Sequence, residues 1–163
     1  MTNWASFATS AGSRSTIWTY DQYRGWLTSK TYAGGASGPA YTYSAAGRAQ
    51  TRLWARGVTT TYGLDGLGRV WTVNYSDGAT PNVTNNFDRL GRTASTVCNG
   101  MTDTMAFNDA NELLSETFSG GTLNGLAVTN AYDALLRRTA VGLNTQPSTL
   151  VQYGFDTAAG FRA

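Results

Sequence analysis

The sequence has no histidine and a single cysteine, Cys98. Without histidine there is no Ser-His-Asp or Cys-His catalysis, and the commonest metal ligand is missing. One thiolate cannot build a zinc site, and no intrachain disulfide can form. Cys98 lies in the run Thr96-Val97-Cys98, where a small strand residue is the expected role. Neither a metal nor a cofactor is expected. Charged residues make up only 13% of the chain, below the usual quarter. No apolar run is long enough to span a bilayer, so membrane insertion is not expected. Residues 1–14 have no basic start followed by an apolar core, which a secretory signal would need. Long amphipathic helical stretches are also missing. The nearest, Ala110 to Phe118, reads equally well as a strand after a turn.

What is present is glycine and aromatic residues in a regular order. The 163 residues include 19 Gly, and Trp, Tyr and Phe make up 12%. With abundant Thr, Ser and Asn, this is the balance of an all-β chain with many turns. One pattern recurs: aromatic, any residue, large apolar, Asp, two residues, Gly, Arg. Tyr62-Gly63-Leu64-Asp65-Gly66-Leu67-Gly68-Arg69 is a complete copy. Aligned on the third residue, copies fall at Tyr20, Tyr43, Leu64, Phe87, Phe107, Tyr132 and Phe155, at intervals of 23, 21, 23, 20, 25 and 23 residues. Periodicity in this range marks a repeat architecture.

Each copy encodes a hairpin. Asp is favoured at the first position of a type I turn and Gly at the fourth, as in Asp65–Gly68 and Asp88–Gly91. The carboxylate accepts from the amide two residues on. The glycine supplies the left-handed residue that joins a type I turn to a strand through a bulge. On either side, Val58, Thr60 and Tyr62, then Val70 to Tyr75, show the alternation and residue types of strands. Five copies are imperfect. Asp21 is followed by Arg24-Gly25 in reversed order, Ser44 replaces Asp, Asn108 and Asn111 replace Asp and Gly, Leu136 fills a glycine slot, and Asp156 reaches Gly160 one residue late. Asn tolerates left-handed geometry but Leu does not, so the turn at Leu136 is expected to be of another type.

The pattern resembles the YD repeat of Rhs proteins, insecticidal toxin-complex subunits and teneurins. The aromatic two residues upstream, at Trp18, Tyr41, Tyr62 and Tyr153, adds to the likeness, which covers about residues 15 to 163. The resemblance implies stacked antiparallel β-hairpins in a curved or coiled sheet, with barrel-like closure as a further form. It also implies containment or cell-surface contact rather than catalysis, in a parent protein that is secreted or at the cell surface. The self-cleaving Asp-Pro of the family has no counterpart, since no Asp precedes any Pro here. The chain starts and stops inside the repeat, as a piece of a longer array of about seven copies would.

Strands are expected near 15–20, 26–32, 40–44, 49–54, 58–63, 70–75, 82–87, 93–98, 102–107, 112–118, 126–132, 138–142 and 149–155. Met1 to Arg14 is expected to be an N-terminal arm anchored by Trp4 and Phe7, and 15–163 a single repeat domain. The second set of links carries Gly34-Gly35, Asp77-Gly78, Asn99-Gly100, Asn124-Gly125 and the prolines Pro39, Pro81 and Pro147.

Carboxylates are the remaining catalytic candidates. Repeats stack like residues, so Asp21, Asp65, Asp88, Asp133 and Asp156 could form a row. Two carboxyls about 5 to 9 Å apart suit glycoside hydrolysis. The candidates are Asp65, Asp88, Glu112 and Glu116, set against a turn-forming role for the aspartates and a solvated face for the glutamates. Arg48, Arg52, Trp54 and Arg56 interleave base and aromatic, and Arg52, Trp54 and Arg56 form a candidate glycan-binding strip. Arginines and Trp54 are expected on opposite faces, so that only one set is exposed. Nucleic acid is not the expected partner. Residues 1–98 hold nine basic and four acidic residues, and 99–163 three and six. With an apolar C-terminal stretch, Leu150 to Phe155, this favours self-association through sheet edges. The leading reading is a structural or interaction module. A small hydrolase and a carbohydrate-binding surface are the alternatives.

Overall fold

The computed structural model describes residues 2–9 and 12–155, with side chains described for 15–145 and 151–155. The side chains of Trp4 and Phe7, and residues Asp156 and Gly160, lie outside the described residues. The chain forms two compact units, residues 1–84 and 85–163.

The first unit holds β1 (Thr2–Thr9), β2 (Gly12–Tyr20), β3 (Leu27–Tyr32), β4 (Ser37–Tyr43), β5 (Ala49–Leu53), β6 (Thr59–Leu64) and β7 (Val70–Tyr75). It ends at the start of β8 (Val83–Phe87), where Val83 and Thr84 face Val73 and Thr72. The second unit continues with β9 (Thr93–Cys98), β10 (Met101–Phe107), β11 (Leu113–Ser119), β12 (Ala127–Tyr132), β13 (Arg138–Leu143) and β14 (Gln146–Gln152). In each unit the strands neighbour one another in sequence order, and the described pairings are antiparallel. The all-β fold of stacked antiparallel hairpins is as expected. Strand β1 lies where an arm without repeat signals was expected, and pairs with β2 through Thr2↔Trp18 to Ser6↔Arg14.

The turns explain the register. In five of the pattern hairpins the ladder shifts by one residue beside the turn, between Gly63 and Leu64 for example. The extra residue is the bulge that a left-handed fourth position requires. Gly68 and Gly91 have φ of 76° and 83°. Asn111 adopts φ 69° in the same slot, as its tolerance predicted. Leu136 corrects the expectation. It adopts φ 63°, and its amide donates to the Asp133 carbonyl at 3.0 Å, so its turn closes as the glycine turns do. On the other set of links, Asn99 and Gly100 both have positive φ and join Cys98 to Met101 in a two-residue turn. Pro39 is not in a link but inside β4, where the pairing with β3 is irregular. Its missing donor is tolerated at such a defect.

No hydrophobic residue is fully buried among the described residues, and Thr60, at 2% exposure, is the one fully buried polar side chain. Antiparallel sheets ordinarily pack one face on a core. Here the two faces differ only in degree. Trp18, Tyr41, Tyr62 and Val73 on one face are half-buried, while Thr42, Thr61 and Asn74 on the other are exposed.

Candidate functional site

The repeated chemistry of the chain sits in the turns. At Asp65 the backbone closes through Gly68 N–H to the Asp65 carbonyl (2.8 Å) and Asp65 N–H to the Arg69 carbonyl (2.9 Å). The carboxylate then accepts from the amides of Leu67 (2.9 Å) and Arg69 (2.8 Å), and Arg69 Nε donates to its other oxygen at 2.7 Å. Asp88 repeats the arrangement with Leu90 and Arg92, and Asp133 with Leu135 and Arg137. The Arg69 amide first, then its guanidinium and the Leu67 amide, hold the Asp65 carboxyl below the usual carboxylate range against an opposing effect of burial. Asp133 is lowered in the same way by Arg137. At Asp88 burial pushes the carboxyl up, and the bonds from Arg92 and Leu90 outweigh it. The imperfect copies keep the logic with weaker parts. Arg48 N–H donates to Ser44 Oγ at 3.2 Å, and Asn108 exchanges side-chain and backbone bonds with Glu112. The reversed Arg24-Gly25 lengthens the first turn by one residue, with Gly25 N–H on the Asp21 carbonyl.

Within each unit the turn residue after the glycine slot also reaches the next repeat. Arg48 Nη1 lies 3.4 Å from the Leu67 carbonyl and occupies the space where a side chain on Gly68 would go. Arg92 Nη1 donates to Asn111 Oδ1 at 3.0 Å, and its guanidinium stands 4.4 Å over the Phe107 ring. Arg137 stands 4.2 Å over the Phe155 ring. In the first repeat Trp26 takes the place of the arginine. It packs against Gly47 and meets the Tyr43 ring at 5.3 Å. Arg92 and Arg137 thus each lock their own turn and reach the following repeat.

A second arrangement appears only in the register. Two strand positions before the turn, each hairpin sets one residue opposite another on the half-buried face. The pairs are Trp18–Lys30, Tyr41–Arg52, Tyr62–Val73, Met105–Glu116 and Asn130–Val141. Lys30 and Arg52 stand over their aromatic partners at 5.6 and 5.8 Å. Arg52 also stacks 3.7 Å over the Trp54 indole, and Arg56 approaches the same ring at 5.7 Å. Arg52 and Trp54 therefore share a face, which overturns the expectation of opposite faces. Trp54 ends the strand and heads a turn of its own, Trp54–Gly57, with Gly57 N–H on the Trp54 carbonyl. Its indole N–H donates to the buried Thr60 Oγ1 at 2.8 Å.

The acidic candidates are each engaged locally. Asp65 and Asp88 serve their own turns, and Glu112 is held by Asn108. Glu116 instead meets Asp103, a residue that sequence reasoning did not single out. Asp103 is opposite Phe118 and Glu116 opposite Met105, so the two carboxyls are diagonal neighbours on one face. Burial first, then the Asp103 charge and their mutual hydrogen bond, raise the Glu116 carboxyl. Among the described residues no group of three or more metal-ligating side chains occurs. A groove in the first unit, about 360 Å³, is lined by Arg48, Ala49, Tyr62, Leu64, Gly68 and Val70, none of them a carboxylate.

No family model matches the sequence, and no curated protein does. Solved structures do match. A chain of the Photorhabdus luminescens Tc holotoxin pore, carrying a TccC3 mutation, superposes with a TM-score of 0.68 at 15% identity over 86% of this chain. A chain of the TcdB2-TccC3-Cdc42 crystal structure gives 0.69 at 16% identity over 87%, and one of TcdB2-TccC3 gives 0.68 at 15% over 87%. The match spans only 9% of each of those chains. The chain has the fold of a segment of these Tc toxin chains, in agreement with the YD-repeat resemblance of its turns.

Proposed function

We propose that the chain is a structural and interaction module of a YD-repeat shell, without catalysis of its own. The observation that carries this reading is the use of the recurrent chemistry of the motif: Asp65, Asp88 and Asp133 each hold their own turn, and Arg92 and Arg137 also reach the next repeat. A carboxylate that accepts two amides and a guanidinium has most of its lone pairs committed to its own turn. The Tc toxin likeness supports a part in a larger protein assembly. Among the described residues β1 and β14 each have a strand neighbour on one side only, so edge pairing with further chain or a second copy belongs to the same proposal.

The test is a screen of the purified protein against chromogenic glycosides and esters, repeated with Asp65→Asn and Asp88→Asn. No turnover is the expected result. Turnover abolished by either substitution would replace this reading with a hydrolase. Glycan binding by Arg52, Trp54 and Arg56 is the second reading, favoured by the two guanidiniums on one indole. Retention on a glycan array that is lost in Trp54→Ala is its signature.

A further inference from the structure

The half-buried face of each unit has apolar residues without a core and charges without an opposite charge beside them. Trp18, Tyr41, Tyr62 and Val73 lie on it in the first unit, and Phe118 and Val128 in the second, yet none is fully buried. A sheet with an apolar face is stable when a second layer covers it. The charges at the paired positions of the hairpins differ in sign between the units, and Arg138 in the second unit is turned onto the Tyr153 ring. Lys30 and Arg52 occupy equivalent places in the first and second hairpins, and among the described residues neither has an ion pair. The Arg52 Nε is buried without an acceptor. The same place in the fifth hairpin is Glu116, beside Asp103, whose Oδ1 is buried without a donor. Neither acid has a cation among the described residues. The totals agree: residues 1–84 have seven basic and three acidic side chains, and 85–163 five and seven.

We propose that this face of the first unit packs on the second unit of another copy of the chain, with Lys30 and Arg52 opposite Asp103 and Glu116 of the partner subunit. The inference rests on the structural reading of the chain and adds the surface, the orientation and the partner. A first unit laid on a first unit would oppose Lys30 and Arg52 to cations, and a second on a second would oppose two carboxyl pairs. Like-charge juxtaposition suppresses both of those arrangements, so charge selects the crossed one. Sheets stacked face to face lie about 10 Å apart, a gap that interdigitating Trp, Tyr, Arg and Glu side chains span. Acidic partners of another kind, such as a uronic-acid polysaccharide, would meet the cations but leave Asp103 and Glu116 unpaired.

The experiment is sedimentation equilibrium on the full chain from about 1 to 100 µM, which reads dissociation constants in the micromolar range, at low and high salt. A dimer that weakens with added salt is expected. Arg52→Glu and Glu116→Arg should each weaken it by about tenfold or more, and the double variant should recover to within about threefold of the parent. Lys30→Glu with Asp103→Lys repeats the exchange at the neighbouring pair, in case Arg52 is needed to fold the Trp54 turn. Far-UV spectra establish that each variant is folded. A monomer at all concentrations overturns the contact, and so does a double variant no better than the singles. Either result leaves the structural reading to the glycoside screen, which tests it separately. Polygalacturonate binding that depends on Arg52 in a monomeric chain also overturns the contact and favours the polysaccharide.

Discussion

Arg48 passes over Gly68, so the glycine of one repeat is shaped by the arginine of the repeat before it. Gly68 is therefore constrained twice, by φ of 76° and by the guanidinium in its side-chain space. Gly57 has φ of 86° but open space around it.

Gly68→Ala should consequently cost more than Gly57→Ala. The backbone term at each is about 1 kcal/mol. Displacing Arg48 adds about another 1 kcal/mol at Gly68 only. Chemical denaturation measures both. In a double-mutant cycle, Arg48→Ala should remove the extra loss at Gly68 and leave Gly57→Ala unchanged. Equal losses at the two glycines would remove Arg48 from the account.

Leu136→Gly should stabilise the chain. Leu136 is held at φ 63° by the bonds Asp133 makes to the amides of Leu135 and Arg137. The preceding repeat has Glu112, tied to Asn108, in the place of an arginine, so the slot is not crossed as Gly68 is. Left-handed geometry costs an L-residue roughly 1 to 2 kcal/mol, and glycine returns part of that in unfolded-chain entropy. A net gain of about 0.5 to 1 kcal/mol is expected in the denaturation midpoint.

Acid should unfold the repeat through its aspartates. Asp65, Asp88 and Asp133 all have carboxyls lowered below their unfolded values. Their contribution is therefore complete above about pH 4 and is lost as pH falls through the folded values. The melting temperature measured from pH 6 to 2 should fall steeply below about pH 4. Asp88→Asn should start lower and fall less steeply.

Glu116 should behave in the opposite sense. Its carboxyl is raised, so it favours the folded state at low pH and loses that contribution as pH rises through the folded value. At concentrations where the chain is monomeric, Glu116→Gln should raise the melting temperature at pH 7 and leave it unchanged near pH 4. Asp103→Asn should show the same pattern if the pair acts as a unit.

The turns and most strand positions were legible because both are local. Asp65, Gly68 and the alternating Val70 to Tyr75 state their conformations within a few residues. The link between 49–54 and 58–63 was placed, but its closure as a turn of the Asp type at Trp54 was not read because Trp replaces Asp, although Gly57 stands at the right distance. Leu136 was misjudged because its own preference opposes its φ, while the neighbouring Asp133 overrides it.

The sequence by itself determined the hairpin repeat, since Asp, Gly and strand alternation act over one turn of chain. It also determined that histidine and paired-cysteine chemistry are absent. Only the tertiary structure decided which residues meet across strands. That Arg52 stacks on Trp54, that Arg48 crosses Gly68, and that Glu116 meets Asp103 rather than Glu112 all follow from register. Register depends on where each bulge falls, and a shift of one residue moves every side chain to the other face.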